Sequence, residues 1–183
     1  MFQKFFYHLL KLIGWDFVGE LPKQPQYVII VAPHTSNWDF IIGLIARNAL
    51  GEQIYFLGKH QLFIPPWGWF FRAFGGAPVD RNKCNNLVEG ATLLFKNNPN
   101  FKLALTPEGT RGKVSRWKTG FYHIANQAKV PIVTVGFDFS LKKVIIADGI
   151  SPSGNIETDM EKILHFHRSI KGFHPKEIPD FKT

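Results

Sequence analysis

Six consecutive apolar residues, Tyr27-Val28-Ile29-Ile30-Val31-Ala32, run straight into Pro33-His34-Thr35-Ser36-Asn37-Trp38-Asp39. A run that short and that rich in β-branched side chains, with no polar alternation, is the pattern of a strand buried on both faces. Residues 38–47 then repeat apolar side chains at helical spacing and meet a stop at Gly51. His34 and Asp39 therefore fall where the carboxyl end of a strand passes into a helix, the edge of an open α/β sheet at which ligands bind. A tight turn across this short offset brings the carboxylate back to the imidazole. One ring nitrogen is then held by Asp39, and the other is left to take a proton from a hydroxyl. The spacing fits a plainer arrangement equally well, a capping Asp beside a strand-end His.

The rest of the chain repeats the alternation. Strands are expected at residues 53–57, 77–79, 102–106, 131–139 and 143–150, and helices at 86–96 and 117–129. A final helix is expected from a capping box, Thr158-Asp159-Met160-Glu161, to about residue 171, with Gly172 as its stop. In the helix at 86–96, Leu87, Ala91, Leu94 and Phe95 are placed inward. Such alternation predicts an α/β fold: a single domain whose mostly parallel sheet is covered by helices on both faces. A chain of 183 residues is long enough for one such core. Residues 1–15 make an amphipathic helix, with Phe2, Phe5, Phe6, Leu9, Leu12 and Ile13 on one side and Gln3, Lys4, His8 and Lys11 on the other. It is expected to lie on a membrane surface, the alternative being that its apolar face packs on the domain's own core. The organisation is thus an N-terminal helix over residues 1–20, the main domain over 21–172 and an irregular tail over 173–183.

Charge narrows the partners. Lys and Arg number 22 against 14 Asp and Glu, a net charge of +8, and Phe alone occurs 18 times. A basic surface favours polyanions, and the aromatic excess turns that preference toward lipid, because aromatic rings settle at the membrane–water interface. Stacking on single-stranded bases uses the same residue types, but no nucleic acid is expected as the partner. The segment 64–76, with Pro65, Pro66, Trp67, Trp69, Phe70, Phe71 and Phe74, reads as a patch against lipid or an acyl chain, or else as core folded inward. No run reaches the roughly 18 apolar residues of a membrane span, and no signal-peptide pattern is present. Membrane contact is therefore expected from the surface, at the inner face of the cell membrane, with the protein otherwise cytoplasmic. Cys84 is the single cysteine, which excludes an internal disulfide and suits a reducing compartment. It is read as a plain structural cysteine, the alternative being a thiolate favoured by Arg81 and Lys83 beside it. The seven histidines form no metal-ligand pattern, so no metal is expected, and a Gly-x-Ser-x-Gly nucleophile turn is absent.

Two further polar clusters stand at expected strand ends, Asp80-Arg81 and Pro107-Glu108-Gly109-Thr110-Arg111. Right-handed crossovers put the ends of parallel strands on one edge of the sheet, so these clusters converge with His34 and Asp39. Arg81 and Arg111 present planar forks suited to phosphate oxygens, Gly109 lets backbone N–H groups approach an anion, and Thr110 adds a hydroxyl. Glu108 accepts only, so it suits bracing an Arg or binding a substrate hydroxyl. Lys113, Arg116 and Lys118 either meet further phosphates or form a solvated basic face.

Taken together, four blocks resemble, in order, those of the glycerophospholipid acyltransferases typified by 1-acyl-sn-glycerol-3-phosphate acyltransferase. They are His34-Thr-Ser-Asn-Trp-Asp39, Gly75-Gly76-Ala77-Pro78-Val79-Asp80-Arg81, the cluster at 107–111, and Val130-Pro131-Ile132-Val133-Thr134-Val135. The resemblance implies transfer of a fatty acyl group from acyl-CoA or acyl carrier protein to the hydroxyl of a lysophosphatidate-like acceptor, in phospholipid biosynthesis and without a cofactor. It implies that residues 21–172 are the acyltransferase domain, His34 the general base and Asp39 its orienting partner. Arg81, Glu108, Gly109, Thr110 and Arg111 are implied as binders of the acceptor's phosphate or glycerol portion. A positioned base contributes roughly 10²–10⁴-fold, and sulfur leaves readily, so no metal or covalent enzyme intermediate is required. A backbone N–H near the start of the helix after His34 is the expected oxyanion donor. Thr106 departs from the family's usual apolar residue, commonly Phe, a difference expected to affect packing. The chain is also shorter than the family's bacterial members often are. That leaves an amino-acid lipid open as acceptor and, from another class, a non-catalytic basic lipid-binding module.

Overall fold

The chain runs α1 (Phe2–Leu12), β1 (Asp16–Val18), β2 (Tyr27–Val31), α2 (Asn37–Leu50), β3 (Ile54–Lys59), α3 (Gly68–Ala73), β4 (Gly76–Val79), α4 (Leu87–Asn97), β5 (Lys102–Leu105), α5 (Gly120–Ala128), β6 (Ile132–Asp138), β7 (Lys143–Ile146) and α6 (Ile156–Arg168). This computed structural model describes residues 2–59, 63–66, 68–79 and 87–181, and at positions 58, 59, 70, 71, 78 and 79 the backbone alone. The strands form one sheet in the order β1-β7-β6-β2-β5-β3-β4. β6, β2, β5, β3 and β4 are parallel neighbours. β7 pairs antiparallel with β6 and carries β1 parallel beside it, so the outer pair runs against the rest.

The unbroken apolar run explains why β2 lies at the centre. Val28, Ile30 and Ala32 enter one core, with Ala91 and Phe95 of α4, Ile124 of α5 and Met160 of α6. Tyr27 and Ile29 enter the other, with Leu10 of α1, Ile42 and Ala46 of α2, and Val133 and Val135 of β6. Alternate residues thus feed opposite layers, and the expected mostly parallel sheet with helices on both faces is what forms. α2 ends at Gly51, whose left-handed φ of 72° lets its N–H reach back to the carbonyls of Arg47 and Asn48.

Several local expectations are corrected. β1 lies inside the span assigned to the N-terminal helix; three residues carry too little pattern to read, and pairing with β7 creates the strand. α6 is capped by Asn155, whose side chain accepts from the N–H of Thr158 at 3.1 Å, so the box expected at Thr158 does not form. Asp159 instead turns inward, accepting from Tyr122 Oη at 3.0 Å and from the N–H of Ser153 at 2.7 Å. In α4, Ala91 and Phe95 are buried as expected, whereas Leu87 is exposed and lines a cavity described below. Trp117 is buried in the loop before α5, and β7 ends at Ile146, leaving Ile150 a lone bridge to Ile132.

α1 packs against α2, and burial of a Leu such as Leu10 is worth about 2 kcal/mol. Phe6 and Leu9 are half-buried, whereas Phe2 is 78% exposed and Phe5 and Leu12 also face outward. The segment after β3 divides, with Phe63 buried and Trp69 72% exposed. Among the described residues no helix is long and apolar enough to cross a membrane.

Candidate active site

β2 delivers the chain to Pro33 and His34 at the carboxyl edge of the sheet, and Thr35 and Ser36 turn it into α2. Ser36 is the N-cap: its Oγ accepts from the N–H of Trp38 at 3.2 Å and from that of Asp39. Asp39 completes the box. Its Oδ2 accepts from the N–H groups of Thr35, at 2.6 Å, and Ser36, at 2.8 Å, and lies 3.0 Å from His34 Nδ1. One carboxylate oxygen therefore both caps the helix and holds the ring, so the two readings of the spacing describe a single arrangement. With Nδ1–H donating to Asp39, Nε2 keeps its lone pair, and among the described residues nothing else binds it. The amides of Thr35, Ser36, Trp38 and Asp39 are spent on this cap; that of Asn37 is the one at this turn it does not use.

The loop after β5 comes alongside because β2 and β5 are hydrogen-bonded in register, Ile30 opposite Leu105. Arg111 donates from Nη1 to Asn37 Oδ1, tying this loop to the first turn of α2. Gly109 has a φ of +66°, and Lys118 Nζ lies 2.9 Å from where a Cβ would stand, so a side chain there meets both strain and contact. Thr110 Oγ1 accepts from the N–H of Gly112 at 3.3 Å, within its own loop. Glu108 is 2% exposed and its described bonds are not to an Arg: Oε2 accepts from the N–H of His34 at 2.8 Å and lies 3.0 Å from Lys176 Nζ, a cation supplied by the tail. Asp80, Arg81, Lys83 and Cys84 lie outside the described residues.

His34, Asp39 and Arg111 line one cavity of about 630 Å³, which Gly109 and Thr110 do not reach. Its walls are Ile29, Val31, Ala104, Val135 and Phe137 of the sheet and Phe40, Gly43 and Leu44 of α2. Polar groups thus gather at the strand ends, and apart from Arg47 and Tyr55 the rest of the lining is mainly apolar. Thr106 lines it too, so the departure noted at this position puts a hydroxyl in the wall.

Sequence reasoning missed Asn37, Arg47 and Lys176. Arg47 lines the cavity and donates from Nη1 to the carbonyls of Phe74, at 2.9 Å, and Ile54, at 3.2 Å, and burial pushes its guanidinium pKa down. Asn37 was legible as the first residue of a capped helix; Lys176, in the tail, carried no signal. His167, read from sequence as ordinary, is fully buried, with Nδ1 3.0 Å from the carbonyl of Ala32, two residues before His34. Burial pushes its pKa down to about 3, so the ring is neutral and Nδ1–H donates.

The architecture is that of an α/β acyltransferase fold. The crystal structure of the 1-acyl-sn-glycerophosphate acyltransferase PlsC from Thermotoga maritima superposes with a TM-score of 0.58 at 20% identity, covering 91% of this chain and 75% of that one. Residues 17–138 match the model of the family described as Acyltransferase, and the chain belongs to that family. It is 35% identical over 143 residues to the 1-acyl-sn-glycerol-3-phosphate acyltransferase of Saccharomyces cerevisiae, covering 71% of this chain and 46% of that protein. To the enzyme of the same name from Streptococcus pneumoniae it is 29% identical over 147 residues, covering 75% and 54%. The chain thus spans about half the length of these curated relatives.

Proposed function

We propose that this chain moves a fatty acyl group from acyl-CoA or acyl carrier protein to the hydroxyl of a lysophosphatidate-like acceptor. The observation that carries the reading is the 3.0 Å contact of His34 Nδ1 with Asp39 Oδ2 at one end of a mostly apolar cavity. Relatives named 1-acyl-sn-glycerol-3-phosphate acyltransferases support the acceptor. Asp39 fixes the ring, and Nε2 takes the acceptor's hydroxyl proton as the oxygen attacks the thioester carbonyl. Collapse of the tetrahedral intermediate breaks the C–S bond, and the departing thiolate takes that proton from the imidazolium. The N–H of Asn37 is the donor left for the oxyanion. The cavity interior suits the acyl chain, Arg111 the acceptor's phosphate, and Arg81 is assigned the same role from its block.

The outward Phe2, Phe5 and Leu12 of α1, with Lys4 and Lys11 on the same helix, suit a peripheral seat on the inner face of the cell membrane. Incubation with labelled acyl-CoA or acyl carrier protein and a panel of lysolipids tests the reading. The expected result is a labelled diacyl phosphatidate with wild type and none with His34→Ala at unchanged fold. Acylation of an amino-acid lipid alone moves the acceptor, and no transfer from either donor leaves a lipid-binding module.

A further inference from the structure

The tail after α6, expected to be irregular, is docked along the edge of the sheet that carries His34. Lys171 accepts from the N–H of Phe139 at 2.9 Å and donates its own N–H to Asp138 Oδ2 at 3.2 Å. Gly172 lies so close to Thr35 that a Cβ there would stand 2.8 Å from its Cγ2, and the N–H of His174 donates to Thr35 Oγ1 at 3.3 Å. This path brings Lys176 to the interior, where its side chain is 3% exposed. Its ammonium lies 3.0 Å from Glu108 Oε2, 3.0 Å from the carbonyl of His34, and 3.3 and 3.4 Å from the carbonyls of Thr110 and Arg111.

Glu108 in turn accepts the N–H of His34 at 2.8 Å, so the two members of one buried ion pair hold both backbone polar groups of the same residue. Glu108 Oε1 is buried with no partner among the described residues, which leaves its charge resting on Lys176. Removing the cation strands a buried carboxylate, and such a group is relieved by moving, by admitting water or by giving up its charge. Each response loosens its hold on the N–H of His34, and loss of the ammonium frees the carbonyls at 34, 110 and 111.

We infer that Lys176 is a positioning residue for this site: through Glu108 and the carbonyls at 34, 110 and 111 it sets His34 against its substrate. This rests on the proposed acyl transfer, and it predicts effects at two levels. A base displaced by about 1 Å costs on the order of 10²-fold, so Lys176→Met lowers kcat by that factor while the KM for acyl donor stays within about threefold. With its acceptor Glu108 no longer held by the ammonium, the His34 amide loses exchange protection, by about tenfold, while core amides such as that of Val28 keep theirs.

The experiment compares wild type, Lys176→Met, Glu108→Gln, Lys176→Met with Glu108→Gln, and Asp180→Ala. The double variant removes both charges and should be no slower than Lys176→Met alone, because the two residues act as a unit. Asp180→Ala cuts the 2.8 Å bond from Arg168 farther along the tail and should leave kcat within about threefold, which separates the ammonium from tail docking in general. Lys176→Gln, which keeps donors without the charge, replaces the Met variant if that one fails to fold. A kcat within about threefold of wild type, with His34 protection unchanged, overturns the inference, as does fully additive loss in the double variant. If wild type acylates nothing, the proposed function fails, and the exchange at His34 still decides Lys176.

Discussion

Arg111 and Asn37, 74 residues apart, meet through Nη1 and Oδ1 at the mouth of the cavity, so the loop that ends one strand is fixed to the helix that begins after its neighbour. The bond occupies one of the guanidinium's five donors and leaves the others for an anion. Arg111→Lys keeps the charge and loses the fork. A hydrogen bond to a charged group is worth about 1.5–3 kcal/mol, so KM for a phosphorylated acceptor should rise by roughly 10- to 100-fold with kcat little changed. Steady-state kinetics against acceptor and donor check this; a rise confined to the donor KM would reassign Arg111 to the donor.

Asp39→Asn separates the two tasks of one carboxylate. A carboxamide oxygen still accepts the N–H groups of Thr35 and Ser36, so the melting temperature should stay near that of wild type. That same oxygen still accepts Nδ1–H but carries no charge to stabilise the imidazolium formed during proton transfer, and kcat should fall by about 10²–10⁴-fold. Thermal melts and single-turnover rates on the same samples test the pair of outcomes. An Asn variant that keeps full rate removes Asp39 from the mechanism.

His167 makes stability depend on pH. Folded, the ring remains neutral down to about pH 3, whereas the unfolded chain protonates it near 6.5. Between those values the unfolded state holds one more proton, so stability present above pH 6.5 is lost as pH falls, by up to about 1.4 kcal/mol per pH unit. His167→Asn keeps a donor toward the carbonyl of Ala32 but cannot titrate. Urea unfolding at pH 7 and pH 5 should show a smaller drop for the variant than for wild type, even though the variant is weaker at pH 7.

Gly43 sits on α2 where a Cβ would stand 3.4 Å from the ring of Phe137, across the cavity. Gly43→Leu fills that space, and forcing added methylenes into a packed site costs about 1–3 kcal/mol. The ratio of kcat/KM for palmitoyl-CoA over octanoyl-CoA should therefore fall by about 10- to 100-fold. An unchanged ratio would mean that the acyl chain does not lie along α2.

The fold was legible because its strongest signals are local: the apolar run of β2, the stop at Gly51, and the recurring strand and helix periods. The meeting of His34 with Asp39 was legible for the same reason, since five residues of chain specify it. What escaped depends on partners remote in sequence. β1 is a strand only because β7 lies beside it, and Glu108 pairs with Lys176 of the tail, a partner that no local spacing signals. Leu87, apolar and placed inward by its spacing, faces a cavity that periodicity cannot distinguish from core.

The place of β2 in the sheet also bears on how the chain is made. Val28 is matched with Leu103 on one side and Ile132 on the other, so neither edge of the strand is covered until 75 further residues (103 − 28) have been synthesised. At about 5–20 residues per second, a bare, strongly β-prone segment waits several seconds for its neighbours. The stretch that later presents the imidazole is thus the one that most needs shielding at the ribosome, where chaperones that cover unpaired strands would act.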